Sequence, residues 1–488
     1  MRDFENCLGG SLWLEEDRLI KYRIPFPSVK KSIDGDNYYT SPFIDMIESR
    51  AAVNVARILS HNTWEPVSQN LLDLLISEEE TKAGIKLHEQ QKEAIRCILD
   101  NSFCLITGGP GTGKTSVLKI AVNIIEKLHF GIDIHLTAPT GKAAGRIRES
   151  FGSDVITKTV QKELHLTYKK KIPDMFNGDL LIVDETSMMG MVTADDLFRS
   201  IRNGQHLVLL GDQDQLPSVE NGAVLRDLID SEVIPYVRLT KTFRQANDSA
   251  LFANIKKAAQ GDPDLVSDDD EFKVIDADPT PCLAAEELAE IVQKEVSTWG
   301  KDNVCCLLPY RKAGTLCSNN LNNMLQQRLN SGDSYLDAEL AEGAPVRYMI
   351  GDPVMQLVNR NECANGDVGK VVSIDDGILV VDYGENQVKY NRDELPEQLS
   401  LAYAMSINKS QGSEYKCVIV CMTNEHELML TRNLLYTAIT RAKKKCVLYT
   451  EGSAVVKAMQ NIAMYTNAIG EGRTTFFAEK LQEAINNV

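Results

Sequence analysis

The chain has 488 residues, 43% hydrophobic and 25% charged, the proportions of ordinary globular protein and, by length, of about three domains. Its formal net charge of -17 excludes a global basic footprint, so a nucleic-acid partner would have to be held by local basic patches. No apolar run approaches the ~18 residues of a membrane span, and the eleven scattered cysteines include no C-x-x-C or zinc spacing.

The opening "MRDFENCLGGSLWLEED" is charged and has no signal-peptide core. With the free thiols it sets the expectation of a reducing cytoplasm. Residues 1–80 read as a short helical N-terminal region, because Ile44, Ile47, Ala51, Val55 and Ile58 follow helical spacing. "SEEETKAG" reads as a surface linker. From residue 81 to 237 strands and helices alternate. The runs "FCLIT" (103–107), "IHLTA" (134–138), "LLIV" (180–183) and "LVLL" (207–210) are short and lack polar alternation. That is how strands read when a parallel sheet is covered on both faces. A second α/β domain is expected over 238–340 and 401–488, from "NVCCLLPY", "KCVIVCM" and "KKCVLYT". Residues 341–400 differ. "PVMQLVN", "GKVVSI", "GILVVDY" and "NQVKY" are short strands broken by tight turns, which predicts a small inserted β-barrel.

The strongest chemical signal is "GGPGTGKT", Gly108 to Thr115, with a strand before it and a helix after it. Glycines let backbone N–H groups turn inward around phosphate oxygens, and the helix N-terminus adds partial positive charge. Across Gly108, Gly109, Pro110, Gly111, Thr112, Gly113, Lys114, Thr115 and Ser116, two roles stand out. Lys114 should reach the β- and γ-phosphates of ATP, and Thr115 should supply a hydroxyl to Mg²⁺. The second signal is "LLIVDETSMM", where a buried strand ends in Asp184-Glu185. Carboxylates at the carboxyl end of such a strand stand where ligands bind. Asp184 would hold Mg²⁺, partly through its water shell, and Glu185 would polarise the attacking water. The third is "LVLLGDQDQLPSV", in which Gln215 would read the γ-phosphate. Arg244 and Arg441, both in the expected second domain, are candidates to stabilise charge on the transferring phosphoryl group. An isolated Asp-Glu turn or arginine is more often a surface feature; it is the P-loop that raises these four.

In order, "LHEQQKEAI", "GGPGTGKT", "TAPTGKAA", "LLIVDETSMM", "GDQDQLPSV", "LTKTFRQ", "INKSQGSEY" and "LLYTAITRA" resemble the motifs of the RecD-like branch of superfamily 1 helicases, over about residues 40 to 480. The resemblance implies two RecA-like domains with a small β-barrel insertion, and ATP-driven 5′→3′ movement on single-stranded DNA with duplex unwinding. It implies that Gln91 reads the adenine edge and that Pro139, Thr140 and Lys142 touch the DNA backbone. Lys409 to Glu414 would link ATP state to DNA grip, with Lys409 and Ser410 toward DNA phosphates and Glu414 toward the nucleotide. Arg146, Phe243 and Tyr403 are further candidates for holding DNA by charge or stacking. Within about 160–178, the stretch 164–178, with Tyr168 and three lysines, could be a small strand-separating hairpin or a solvated loop.

The expected partners are single-stranded DNA and its junctions with duplex, the expected state a monomer, and no membrane is involved. Two other readings stay open at this point: a motor subunit of a larger helicase–nuclease complex, and an ATP-gated nucleic-acid-binding switch. A GTPase reading fails because Gln411 stands where the guanine signature needs Asp.

Overall fold

The computed structural model describes residues 12–16, 19, 28–33, 36–152, 157–167, 170–243, 249–338, 346–360, 362–384, 386–461 and 474–487. The chain divides into two compact units. Unit 1 comprises 1–139, 143–246 and 463–488; unit 2 comprises 140–142 and 247–462.

Unit 1 is built on a six-stranded parallel sheet: β1 (Phe103–Gly108), β2 (Ile134–Ala138), β3 (Thr157–Thr159), β4 (Leu180–Val183), β5 (His206–Gly211) and β6 (Tyr236–Leu239), in spatial order β3-β2-β4-β5-β1-β6. All six strands run parallel. Alternation along each strand feeds two separate cores. Phe103, Leu105, Leu181, Val183, Leu207 and Leu209 point to one face. Cys104, Ile106, Leu180, Ile182, Val208 and Leu210 point to the other. This two-sided burial explains why these strands carry no polar alternation. The first core is closed by helices Pro42–Leu59, Met191–Ser200 and Phe477–Asn486, the second by Gln69–Ala83, Glu89–Asp100 and Lys114–Leu128.

Unit 2 has β7 (Phe272–Asp276) and β8 (Val304–Leu308), then an unnumbered antiparallel pair, Tyr335–Ala338 with Val346–Met349, then five strands of a further sheet, then β14, β15 and β16. The five are β9 (Pro353–Gln356), β10 (Val368–Asp375), β11 (Ile378–Asp382), β12 (Gln387–Asn391) and β13 (Leu399–Leu401). They form an antiparallel sheet in the order β12-β11-β10-β9-β13. Strands β14 (Ala404–Ser406), β15 (Tyr415–Met422) and β16 (Ala442–Thr450) return to the parallel sheet, ordered β7-β16-β15-β8-β14.

Three expectations change. The N-terminal region is not only helical, since a three-stranded antiparallel sheet of Leu14–Glu15, Val29–Ile33 and Asp36–Thr40 precedes the first helix. The polar content of these strands hid them. Strands β3, β6, β7 and β14 lie outside the runs that sequence singled out, being short or partly polar. The last helix, Phe477–Asn486, belongs to unit 1 and not to the second α/β domain. There Leu12 N donates to Thr474 O at 2.8 Å, and Phe476 N donates to the buried Glu48 carboxylate at 3.0 Å. Among the described residues no helix is long and apolar enough to cross a membrane.

Candidate functional site

The site of unit 1 is assembled at the carboxyl edge of its parallel sheet. Strand β1 ends at Gly108, the P-loop follows, and helix Lys114–Leu128 starts at its far end, capped by Gly113. Gly111 and Gly113 have φ of 74° and 83°, a left-handed conformation that glycine adopts without penalty. Space is as restrictive as conformation. A Cβ on Gly113 would meet Gln91 Nε2 at 2.5 Å, and one on Gly108 would meet Leu239 O at 2.9 Å. The ammonium of Lys114 is held by the carbonyls of Gly108 and, at 3.3 Å, Gly109. Thr112 Oγ1 donates to Gly109 O at 2.8 Å, which tightens the turn.

Gln91 braces this loop from below. Its Nε2 donates to Thr112 O at 3.1 Å, and its Oε1 accepts from His88 N at 2.9 Å, completing a capping box for helix Glu89–Asp100. One N–H and one oxygen lone pair of the amide are thus engaged with protein, so Gln91 supports the P-loop. Phe243, a candidate for stacking on DNA, also lies at this loop. Its N donates to Gly111 O at 2.8 Å and its ring stands 3.9 Å from the Cβ position of Gly113.

Two strands away, β4 delivers Asp184 and Glu185. Asp184 N donates to Thr137 O at 2.9 Å, and its Oδ1 accepts from Glu185 N at 2.7 Å. Burial and the adjacent Glu185 charge push the Asp184 carboxyl up to about 6, against the opposing charges of Lys114 and Arg146. Lys114 and Arg146 are thus the cations whose charge is felt at Asp184. Glu185 has φ 55°, left-handed for a residue with a side chain. Such backbone strain is concentrated at functional positions. The exposed Thr115 hydroxyl at the helix start and the Asp184 carboxyl are hard oxygen donors at one edge. That donor set fits Mg²⁺. Gln215 is buried at the end of the next loop, where its Nε2 donates to Asp212 Oδ2 at 3.2 Å. Pro139 and Thr140 form the turn from β2 into helix Gly141–Phe151, on which Lys142 and Arg146 are half-buried.

In unit 2, "INKSQGSEY" is a 3-10 turn, Ile407–Ser410, entering β15. Lys409 Nζ donates to Asn365 Oδ1 at 2.6 Å, and burial with the nearby Arg311 charge pulls its pKa down. Ser410 corrects an expectation. It is fully buried and its hydroxyl donates to Ile407 O at 2.7 Å, so it cannot face a phosphate. Tyr403 is likewise core, its hydroxyl donating to the buried Asp352 at 2.7 Å. Glu414 pairs with Lys443 at 3.2 Å. Arg441 is buried against the same turn, donating to Thr437 O at 3.1 Å and Ser413 O at 3.3 Å. Arg244 and Tyr168 lie outside the described residues. In 164–178, Thr167 N donates to Lys170 O and Asp174 N to Leu164 O, both at 3.0 Å, so the segment folds back on itself, with no strand among its described residues.

A glycine cradle at a helix start, with paired carboxylates at the end of a neighbouring parallel strand, defines a P-loop nucleotide-binding protein. Residues 86–277 match the AAA domain family and residues 401–449 the UvrD-like helicase C-terminal domain. The "RecBCD enzyme subunit RecD" of Mycolicibacterium smegmatis is 30% identical over 407 residues, 73% of this chain and 70% of that protein. The "ATP-dependent RecD2 DNA helicase" of Deinococcus radiodurans is 33% identical over 378 residues, 76% of this chain. The chain matches only half of that relative's length. Among solved structures, two coordinating Pif1 helicases at forked duplex DNA align at 20% identity and a TM-score of 0.49, over 76% of this chain and 94% of that one. The chain belongs to the RecD-like helicases of superfamily 1.

Proposed function

We propose that the chain is an ATP-dependent DNA helicase that moves 5′→3′ on single-stranded DNA and unwinds duplex. The observation that carries this is the convergence of Lys114, Asp184 and Glu185 on one sheet edge of unit 1, in a member of this family. Water attacks the γ-phosphorus of ATP, the bond to the bridging oxygen breaks, and ADP and phosphate leave. Lys114 offsets charge on the phosphates, and Glu185 orients the water and takes its proton. Thr115 and Asp184 would hold Mg²⁺, which neutralises charge on the phosphates when bound. Gln215 reports the γ-phosphate, and Arg244 and Arg441 supply further positive charge. Pro139, Thr140, Lys142, Arg146 and Lys409 are the proposed DNA contacts, and the five-stranded sheet of 353–401 is read as the small β-barrel of the family. Single-stranded DNA and its junctions are the proposed partners of a monomeric, cytoplasmic protein.

Unwinding of 5′-tailed and 3′-tailed duplexes with ATP and Mg²⁺ tests the reading. Only the 5′-tailed substrate should be unwound, and unwinding of the 3′-tailed one alone would overturn the polarity. A second reading, a motor subunit of a helicase–nuclease assembly, is supported by the similarity to the RecBCD enzyme subunit RecD of Mycolicibacterium smegmatis. It predicts that the isolated chain hydrolyses ATP on single-stranded DNA but unwinds neither substrate.

A further inference from the structure

Behind the carboxylates of unit 1 lies a polar seam whose residues have been given no role above. Strand β5 ends in Gly211, whose register partner on β1 is Thr107. Partners on adjacent parallel strands project from the same face of a sheet. The alternation of Leu105 and Leu209 into one core places Thr107 and the bare side of Gly211 on that face. A Cβ on Gly211 would meet Thr186 Oγ1 and Leu225 Cδ2 at 2.8 Å and Ser187 N at 3.4 Å. The missing side chain is therefore what lets the turn after Glu185 sit against the strand end. Thr186 Oγ1 donates to Leu210 O and pins that turn. Ser187 is 8% exposed and Thr107 0%. Neither hydroxyl has a hydrogen-bond partner among the described residues.

A buried hydroxyl without a partner is a net cost, and proteins keep such groups mainly where something moves or binds. Both candidates for motion are adjacent. On one side is the left-handed Glu185, and on the other is the loop from Asp212 to Gln215, which begins at the residue after Gly211. We propose that Ser187 and Thr107 are positioning residues of ATP hydrolysis. Their hydroxyls join, directly or through a shared water, when the Glu185 turn and the Gly211–Gln215 strand end shift together, so that the hydrolytic carboxylate and the γ-phosphate-reading loop move as one piece. The proposal rests on the hydrolase reading above. Neither hydroxyl touches the nucleotide, so the pair acts on turnover and not on ATP affinity.

The test uses the full chain, with fluorescent ATP-analogue binding and steady-state hydrolysis at saturating oligothymidine. Ser187→Ala and Thr107→Val, the latter keeping shape but not hydroxyl, should each lower kcat about tenfold with the nucleotide Kd changed less than about twofold. Thr107→Ser, which keeps the hydroxyl, should retain the wild-type kcat. The double variant should be no slower than the slower single, because the pair is one element. Wild-type turnover in Ser187→Ala or Thr107→Val, losses that multiply, or kcat and affinity falling together would overturn the inference. If Ser187→Ala does not fold, the Thr107→Val against Thr107→Ser comparison decides alone. A wild-type chain that hydrolyses no ATP overturns the hydrolase reading as well.

Discussion

At the scale of single residues, the site separates binding from chemistry. Lys114 and the P-loop amides are the proposed phosphate holders, while Glu185 stands beyond them on a strained turn with its backbone N tied to Asp184 Oδ1. Glu185→Gln keeps size and hydrogen bonding but cannot take a proton. We expect ATP affinity within a few-fold of wild type and hydrolysis slower by about 10²–10⁴, as for loss of a general base. Retained turnover, measured as phosphate release at saturating DNA, would move the base elsewhere. Gln91 shows where residue-level reading falls short. The resemblance proposes it as the reader of the adenine edge, and the fold adds a task the motif does not show, since its amide links Thr112 O to His88 N. Hydrogen-bond partners from other loops are not legible in a motif.

At the scale of elements, helix Phe477–Asn486 is the least expected part. It seals the first core of unit 1 with Phe477 and Leu481, and its Lys480 reaches Asp45 at 2.7 Å and Glu48 at 3.0 Å. Just ahead of it, Thr475 Oγ1 donates at 2.8 Å to Asp227 Oδ1 on helix Val224–Asp230. Burial pushes the Asp227 carboxyl up to about 6, although Arg226 opposes the shift. The folded pKa thus lies above the unfolded value of about 3.9. The favourable contribution is present below the unfolded value and is lost as pH rises through about 6. Asp227→Asn cannot ionise, and its amide group supplies a donor where Oδ2 has no hydrogen-bond partner among the described residues. It should stabilise the protein by about 1–3 kcal/mol at pH 7.5 and flatten the dependence between pH 4 and 6. Thermal melts at pH 5 and 7.5 check this, and no gain at pH 7.5 would mean the carboxylate is held without penalty.

At the scale of the whole molecule, hydrolysis has to be felt by the DNA grip, and the turn at Ile407–Ser410 is the proposed place. Lys409 ties this turn to Asn365 in the loop between β9 and β10, so its ammonium belongs to the insertion as well as to the core of unit 2. Lys409→Ala should reduce DNA-stimulated ATPase about tenfold while leaving nucleotide binding within about twofold. Equal losses in both, measured by titration with and without oligothymidine, would remove the turn from coupling. Ser410 has no part in this, because burial has already committed its hydroxyl.

What the sequence determined by itself is what depends on local pattern. The strand runs at 103–107, 134–138, 180–183 and 207–210 match β1, β2, β4 and β5 closely, because burial on both faces removes polar residues from a strand wherever its neighbours lie. The placement of the P-loop between a strand and a helix, and of Asp184-Glu185 at a strand end, was equally legible, since local pattern sets both. What only tertiary structure decided depends on contacts between distant segments. The return of residues 474–487 to unit 1, the engagement of Gln91, the burial of Ser410 and Tyr403, and the packing of the Ser187 turn against the strand end at Gly211 all arise from segments far apart in sequence. Periodicity sets which face of an element is buried; which partner it meets there is fixed only when the sheet and its covering helices close.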